Sequence, residues 1–269
     1  MSGQQVPGDE AILRVDNLSL AFGGLRALSE VSFTVQRGEL FSIIGPNGAG
    51  KTSILNCLSG RYRPQSGTAL CSDKNGKEFD LLRQPTSARA RLGVARTFQN
   101  LALFQQMSVL DNILVGAHHL LKRNFLHGMV YWLGGAQKEE MAMRRDVEDI
   151  IDFLELQSYR HTPAGALPYG ARKRVELARA IAGKPRLLLL DEPMAGMNLD
   201  EKEDMARFVV DLNEEQGMTI IMIEHDMGVV ADISERVLAL DFGQVIACAT
   251  PAEIVNHDAV KQAYLGITA

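Results

Sequence analysis

Residues 40–60 read LFSIIGPNGAGKTSILNCLSG, and this stretch decides the fold. Leu40 to Ile44 form an apolar run closed by glycine, the pattern of a strand buried on both faces. The run leads directly into Gly45-Pro46-Asn47-Gly48-Ala49-Gly50-Lys51-Thr52, then into Ser53 and a segment that reads as helix. The octet satisfies G-x-x-x-x-G-K-[ST] in the strand–loop–helix setting that the motif requires. Its glycines let backbone N–H groups converge on phosphates, and the helix N-terminus adds roughly half a positive charge aimed at them. Residues Gly45 to Ser53 are therefore expected to cradle a nucleotide. Lys51 is expected to reach its β- and γ-phosphates, and the Thr52 hydroxyl to hold Mg²⁺.

Working outward, Leu187-Leu188-Leu189-Leu190-Asp191-Glu192-Pro193 is a second apolar strand, ending in two carboxylates. Strand C-termini of a parallel sheet line the ligand crevice, so both acids are expected beside the phosphate loop. Asp191 is placed to orient Mg²⁺ through its water shell, and Glu192 to polarise the attacking water as general base. A third buried strand, Thr219-Ile-Ile-Met-Ile223, leads to His225 at the same edge, where the imidazole can contact the γ-phosphate and hold the water.

The remaining text alternates in the same way. From Ile12 to Phe41 it reads as short strands, with turns at Gly23-Gly24 and Arg37-Gly38-Glu39. From about Asn100 to Gly183 helix formers dominate, with candidate helices at 108–121, 137–157 and 171–182. A helix over 201–216 follows the acidic strand. RVLALDFGQVIACA then predicts a strand pair turning at Gly243, and AEIVNHDAVKQAYLG a closing helix. Interleaved strands and helices predict an α/β fold with a mostly parallel sheet, an antiparallel flank and an inserted helical subdomain at about 100–183. Residues 1–11 read as a flexible tail before a domain at 12–269.

Composition narrows the function. Hydrophobic residues make up 46% and charged residues 23% of 269 positions, as in an ordinary globular protein. The net charge of −5 argues against nucleic acid as a partner, because phosphate backbones demand a basic face. Cys57, Cys71 and Cys248 show no CxxC spacing and fit thiols of a reducing cytosol. No stretch approaches the ~20 apolar residues of a membrane span, and the N-terminus lacks signal-peptide organisation. The chain is expected in the cytoplasm, with any membrane role reached through a partner.

Together these segments resemble the nucleotide-binding subunit of ABC transporters, from about residue 12 to 266. GPNGAGKT looks like that family's Walker A, LLLLDEP like its Walker B, and IIMIEHD like its switch histidine segment. The resemblance implies a P-loop NTPase (RecA-like) core and a Mg²⁺-dependent ATPase. Thr97-Phe98-Gln99-Asn100 is similar to the Q-loop, so Gln99 would touch Mg²⁺ and the lytic water and report nucleotide state to a membrane partner. Met194 to Asn198 stands at the D-loop, with Asn198 and Asp200 nearest a dimer partner. Phe22 stands where the family stacks an aromatic residue on adenine, although core packing is the alternative reading.

The family's LSGGQ signature is matched by Leu167-Pro168-Tyr169-Gly170-Ala171 and the helix ARKRVELARAIAG. Pro168 replaces the serine and Ala171 the glutamine. Tyr169 and Gly170 remain to approach the partner's ATP. The resemblance further implies a head-to-tail pair of identical or paralogous cassettes, permease subunits in the membrane and, indirectly, an extracytoplasmic solute-binding protein. The tyrosine-glycine signature, the AGMN D-loop and the closing AYLG look like the subgroup importing branched-chain and other hydrophobic or aromatic carboxylates and amides. A lipopolysaccharide-type export ATPase and a soluble ABC protein acting on ribosomes or DNA are the alternatives, and a P-loop kinase or GTPase leaves the helix before Walker B unexplained. The stretch Phe125 to Trp132 reads either as a docking segment for the membrane partner or as local packing.

Overall fold

The computed structural model describes residues 11–73, 76–97, 102–120 and 135–265. Strands β1 (Ala11–Phe22) and β2 (Leu25–Gln36) pair antiparallel, with Ala11 already opposite Gln36. Each runs 12 residues, where short strands were expected. Bulges explain the difference. The register slips between Val15 and Leu18 and again between Leu18 and Leu20, and Asn17 and Glu30 take φ of 50° and 53°. Their amides leave the ladder and donate to Ser32 Oγ at 2.8 Å and Ser19 Oγ at 3.0 Å. Each slip resets the in/out alternation, so one long strand reads as several short ones. After β3 (Leu40–Ile44) and helix α1 (Lys51–Ser59), strands β4 (Ser66–Ser72) and β5 (Glu78–Asp80) complete a sheet of order β2-β1-β4-β5.

The second sheet adds β6 (Val94–Arg96), β7 (Leu187–Asp191), β8 (Thr219–Ile223), β9 (Arg236–Asp241) and β10 (Gln244–Ala249) in the order β10-β9-β3-β8-β7-β6. Its pairs are parallel except β10 with β9. Strands β3, β7 and β8 are buried at every residue, which is why they read as unbroken apolar runs. Short α2 (Thr86–Arg89) precedes β6, and α3 (Val109–Ala117), α4 (Gly135–Phe153) and α5 (Tyr169–Ile181) precede β7. Next come α6 (Leu199–Glu214), between β7 and β8, and α7 (Met227–Ile233), between β8 and β9. The closing segment is two helices, α8 (Pro251–Asn256) and α9 (Asp258–Leu265), because His257 leaves helical angles (ψ 120°) and its carbonyl accepts the Lys261 N–H of the next helix.

The period of two along each strand splits the core. Leu188 and Leu190 of β7, with Ile220 and Met222 of β8, face Ile113, Ile151, Val175 and Phe208 from α3, α4, α5 and α6. Leu187, Leu189, Ile221 and Ile223 face the opposite way, onto α1 and the antiparallel sheet. Each such side chain, fully buried, stabilises the fold by about 1.5–3 kcal/mol. The central sheet is thus clamped on both faces, and its C-terminal edge is left to carry chemistry. No helix among the described residues is long and apolar enough to cross a membrane.

Candidate functional site

The phosphate loop leaves β3 at Gly45, whose φ is +147° and whose hypothetical Cβ would lie 2.2 Å from the Leu240 carbonyl oxygen. Only a glycine fits there. The loop folds back on itself through Ala49 N–H to Pro46 O (3.1 Å), and the Gly243 N–H of the β9–β10 turn donates to Ala49 O (3.0 Å). Lys51 is buried, and its Nζ donates to the carbonyls of Gly45 (2.6 Å) and Pro46 (3.0 Å). Burial lowers its pKa, and the nearby carboxylates of Glu192 and Asp191 act against that.

Strand β7 delivers Asp191 at its last residue, almost wholly buried. Its Oδ2 accepts from Arg96 Nη2 at 2.7 Å, while Oδ1 is buried with no protein partner among the described residues. An orphaned carboxylate oxygen at a strand end, on an acid whose charge is felt by Lys51 of the loop, fits the water shell of a divalent cation. Arg96 also donates from Nη1 to Asn56 Oδ1 (2.8 Å) and Ser59 Oγ (2.7 Å), tying β6 to α1 and to the acid.

Glu192 follows with φ of +52°, a left-handed conformation unusual for a non-glycine residue, and its N–H donates to Ile223 O at 2.9 Å. That turn aims the carboxylate across the sheet edge, where Oε1 and His225 Nε2 share a 2.7 Å hydrogen bond. Behind them Glu224 is buried, accepting the N–H groups of Met194 (2.9 Å) and His225 (3.1 Å). Burial raises the Glu224 pKa, and these two amides partly counter it.

A cleft of about 460 Å³ is lined by Asn47 to Ser53, Glu192, His225 and the rings of Phe22 and Phe242. Phe22 stands half-exposed on its rim, edge-on to Tyr62 at 5.0 Å between centroids, rather than in the core. Phe242 was missed by sequence reasoning. It occupies the β9–β10 turn at φ +40° and is 84% exposed, and an aromatic residue where a tight turn favours Gly or Asn is the signal that marks it.

Gly45, Pro46 and Asp191 are not part of this lining, and meet it through Lys51, by hydrogen bonds to the first two and by charge to the third. Tyr169 and Gly170 do not reach the cleft of their own chain. They open α5, where the Tyr169 hydroxyl donates to Ala195 O at 3.0 Å and Gly170 presses against Glu201. Lys173, one turn on, donates to Glu192 O at 3.1 Å. Asn198 is engaged in capping α6, accepting the Glu201 N–H at 2.9 Å. Gln99, with Phe98, Asn100 and the segment Phe125 to Trp132, lies outside the described residues.

A sequence profile described as "ABC transporter" matches residues 28–195, more than half of the chain. The chain belongs to the ABC transporter family. A second profile, "Branched-chain amino acid ATP-binding cassette transporter", matches residues 244–268 of the cassette. The cassette is 39% identical to the high-affinity branched-chain amino acid transport ATP-binding protein BraF of Pseudomonas aeruginosa, covering 95% of this chain and 98% of that one. It is 37% identical to the corresponding protein LivG of Escherichia coli, covering 96% and 98%.

Its fold matches crystal structures of an ABC transporter cassette in an ADP conformation and of a nucleotide-free one. For the former the TM-score is 0.81 at 28% identity over 96% of this chain and 100% of that one. For the latter it is 0.79 at 29% identity over 97% and 100%. The cassette is therefore a nucleotide-binding ATPase subunit of the ABC type. The kinase and GTPase reading falls, since neither leaves room for the matched segment that runs through α5 into β7.

Proposed function

We propose that this cassette hydrolyses ATP to drive uptake of branched-chain amino acids, or of related hydrophobic or aromatic carboxylates and amides. The carrying observation is the 2.7 Å contact between Glu192 and His225 at the mouth of a cleft floored by the phosphate loop. The loop amides and Lys51 hold the triphosphate, with the ammonium moving from the carbonyls of Gly45 and Pro46 onto phosphate oxygens. Phe22 stacks on the adenine. Thr52, Asp191 and Gln99 would hold Mg²⁺, which would neutralise phosphate charge when bound. Glu192 takes the proton of the attacking water as the bond between the γ-phosphorus and the bridging oxygen breaks, releasing ADP and phosphate. His225 fixes the carboxylate before nucleotide enters and then contacts the γ-phosphate.

One chain supplies half of each complete site. Tyr169 and Gly170 are not part of the lining of their own cleft, as expected if they close on the nucleotide of a second cassette, identical or paralogous, docked head to tail. Closure on ATP and release after hydrolysis would move permease subunits docked near Gln99 and the helical subdomain at about 100–183. The cassette is held in this way at the cytoplasmic face of the membrane, where no helix among its described residues is long and apolar enough to cross. An extracytoplasmic solute-binding protein supplies the cargo, and nucleic acid is not a partner of this acidic surface.

The functions of the relatives and the match over residues 244–268 support the branched-chain reading over an export ATPase. Purification under mild detergent tests it. The cassette should sediment with membranes, be released by alkaline wash, and bring with it permeases encoded beside a solute-binding protein that takes leucine, isoleucine or valine. Co-purification with ribosomes, or with a lipid exporter, contradicts the proposal.

A further inference from the structure

The AYLG ending that stood out in the sequence has a structural counterpart at the nucleotide site. Helix α9 brings the Tyr264 hydroxyl to 2.8 Å from the backbone nitrogen of Gly45, so that the first amide of the phosphate loop donates to the phenol oxygen. Gly45 lies one residue beyond the last pair of the β3–β9 ladder, Ile44 with Ala239, where its N–H has left the sheet. Its carbonyl is at the same time the acceptor for Lys51 Nζ at 2.6 Å. One residue therefore has its amide fixed by the C-terminal helix and its carbonyl on the lysine that meets the phosphates. A side chain at Gly45 is excluded as well, since a Cβ there would lie 2.2 Å from the Leu240 carbonyl oxygen.

We propose that Tyr264 is a positioning residue for the phosphate loop: by accepting the Gly45 N–H it holds the Gly45 peptide in the orientation from which Lys51 transfers to nucleotide, and so sets nucleotide affinity. This rests on the reading that Gly45 to Ser53 holds the nucleotide. The hydroxyl is not what docks the helix. Ile254 of α8 and Val260 of α9 are buried with Ile44, Val237 and Ala239, while Tyr264 itself remains 41% exposed. An apolar anchor holds the helix, and a polar tip reaches the loop. The burial of that tip pushes the phenol pKa up, against the pull of the Gly45 bond, so the hydroxyl keeps its proton at neutral pH.

Tyr264→Phe removes one oxygen and keeps the ring. Losing one net hydrogen bond corresponds to roughly a three- to tenfold weaker affinity. Binding of a fluorescent ADP analogue with Mg²⁺ and hydrogen exchange of the full chain should be measured for wild type, Tyr264→Phe and Lys51→Ala. The expected result has three parts for Tyr264→Phe. Its Kd rises by that factor, the peptide containing Gly45 exchanges faster without nucleotide, and peptides from α8 and α9 exchange as in wild type. In steady state, KM for ATP should rise while kcat stays nearly constant.

Unchanged nucleotide affinity in Tyr264→Phe overturns the proposal. So does a loss of affinity accompanied by faster exchange throughout α9, which would mean that the hydroxyl merely docks the helix. Lys51→Ala separates the two readings: if it binds the analogue as wild type does, the phosphate-loop assignment itself fails.

Discussion

Replacing Arg96 by methionine keeps an unbranched stem but removes the cation 2.7 Å from Asp191 Oδ2. Both side chains are shielded, at 6% and 1% exposure, so water cannot stand in for the guanidinium. Breaking a buried pair by deleting one partner costs about 3–5 kcal/mol, because the remaining charge is left uncompensated. The bonds to Asn56 and Ser59 are lost as well, loosening β6 from α1. For a chain of this size about 1 kcal/mol moves the thermal midpoint by roughly 2–4 °C, so a fall of about 6–20 °C is expected.

Circular dichroism melts without nucleotide provide the assay, run for Arg96→Met, Asp191→Asn and the double variant. The double variant should recover much of the loss, since the stranded charge is gone, giving a coupling of several kcal/mol. Raising salt should change little, because the pair is shielded from mobile ions. A midpoint within about 2 °C of wild type, judged against the same scaling, or a double variant as unstable as the sum of the singles, would refute the claim that Arg96 holds Asp191 as a buried anion.

Three further outcomes follow from packing and ionisation. Gly116→Ala places a Cβ 2.1 Å from the Arg179 carbonyl oxygen, where α3 meets α5, and should destabilise the chain by about 1–3 kcal/mol in urea unfolding, whereas Gly24→Ala, pointing into open space, should be near neutral. Burial raises all three thiols, Cys57 to about 12 and Cys71 to about 11, but only Cys248 is exposed, so thiol titration of the native protein should show Cys248 reacting first and the two buried thiols slowly; three equally fast thiols would contradict the packing.

Because Glu224 holds its proton more tightly folded than unfolded, its contribution is full below the ordinary value of 4.5 and is lost as pH rises through the raised one. The stability of wild type relative to Glu224→Gln should therefore decline across that window, and a flat difference in urea midpoints would remove Glu224 as its cause.

How far the sequence reached depended on whether each signal was local. Strands β3, β7 and β8 announce themselves because burial on both faces forces unbroken apolar runs, and Gly45 to Thr52 because the loop's geometry is encoded within eight consecutive residues. Asp191, Glu192 and His225 were legible for the same reason, each sitting one or two steps past such a run. The long antiparallel strands were not, since bulges at Asn17 and Glu30 erase the alternation that identifies a strand. Strand β6 is too short, three residues with a single buried side chain, to carry any period.

The contacts made by Arg96, Glu224, Lys173 and Tyr264 were missed on other grounds, although the last two lie in segments that stood out. Each acts through a partner remote in sequence or through main-chain amides, as with Tyr264 and Gly45, 219 positions apart. Nothing local distinguishes a helix-face tyrosine from one that caps a loop. Phe22 was left between two readings because its neighbour across the rim, Tyr62, is brought there only by the tertiary fold.

The central claim is that Glu192 is the base in a cleft completed by a second cassette, and Glu192→Gln tests it most directly. Light scattering of that variant with Mg-ATP, alongside phosphate release, should show a stable dimer that forms with ATP but not with ADP, and hydrolysis reduced by about 10²–10⁴-fold, the usual worth of a general base. Phosphate release at the wild-type rate, or a monomer at saturating ATP, would contradict the account.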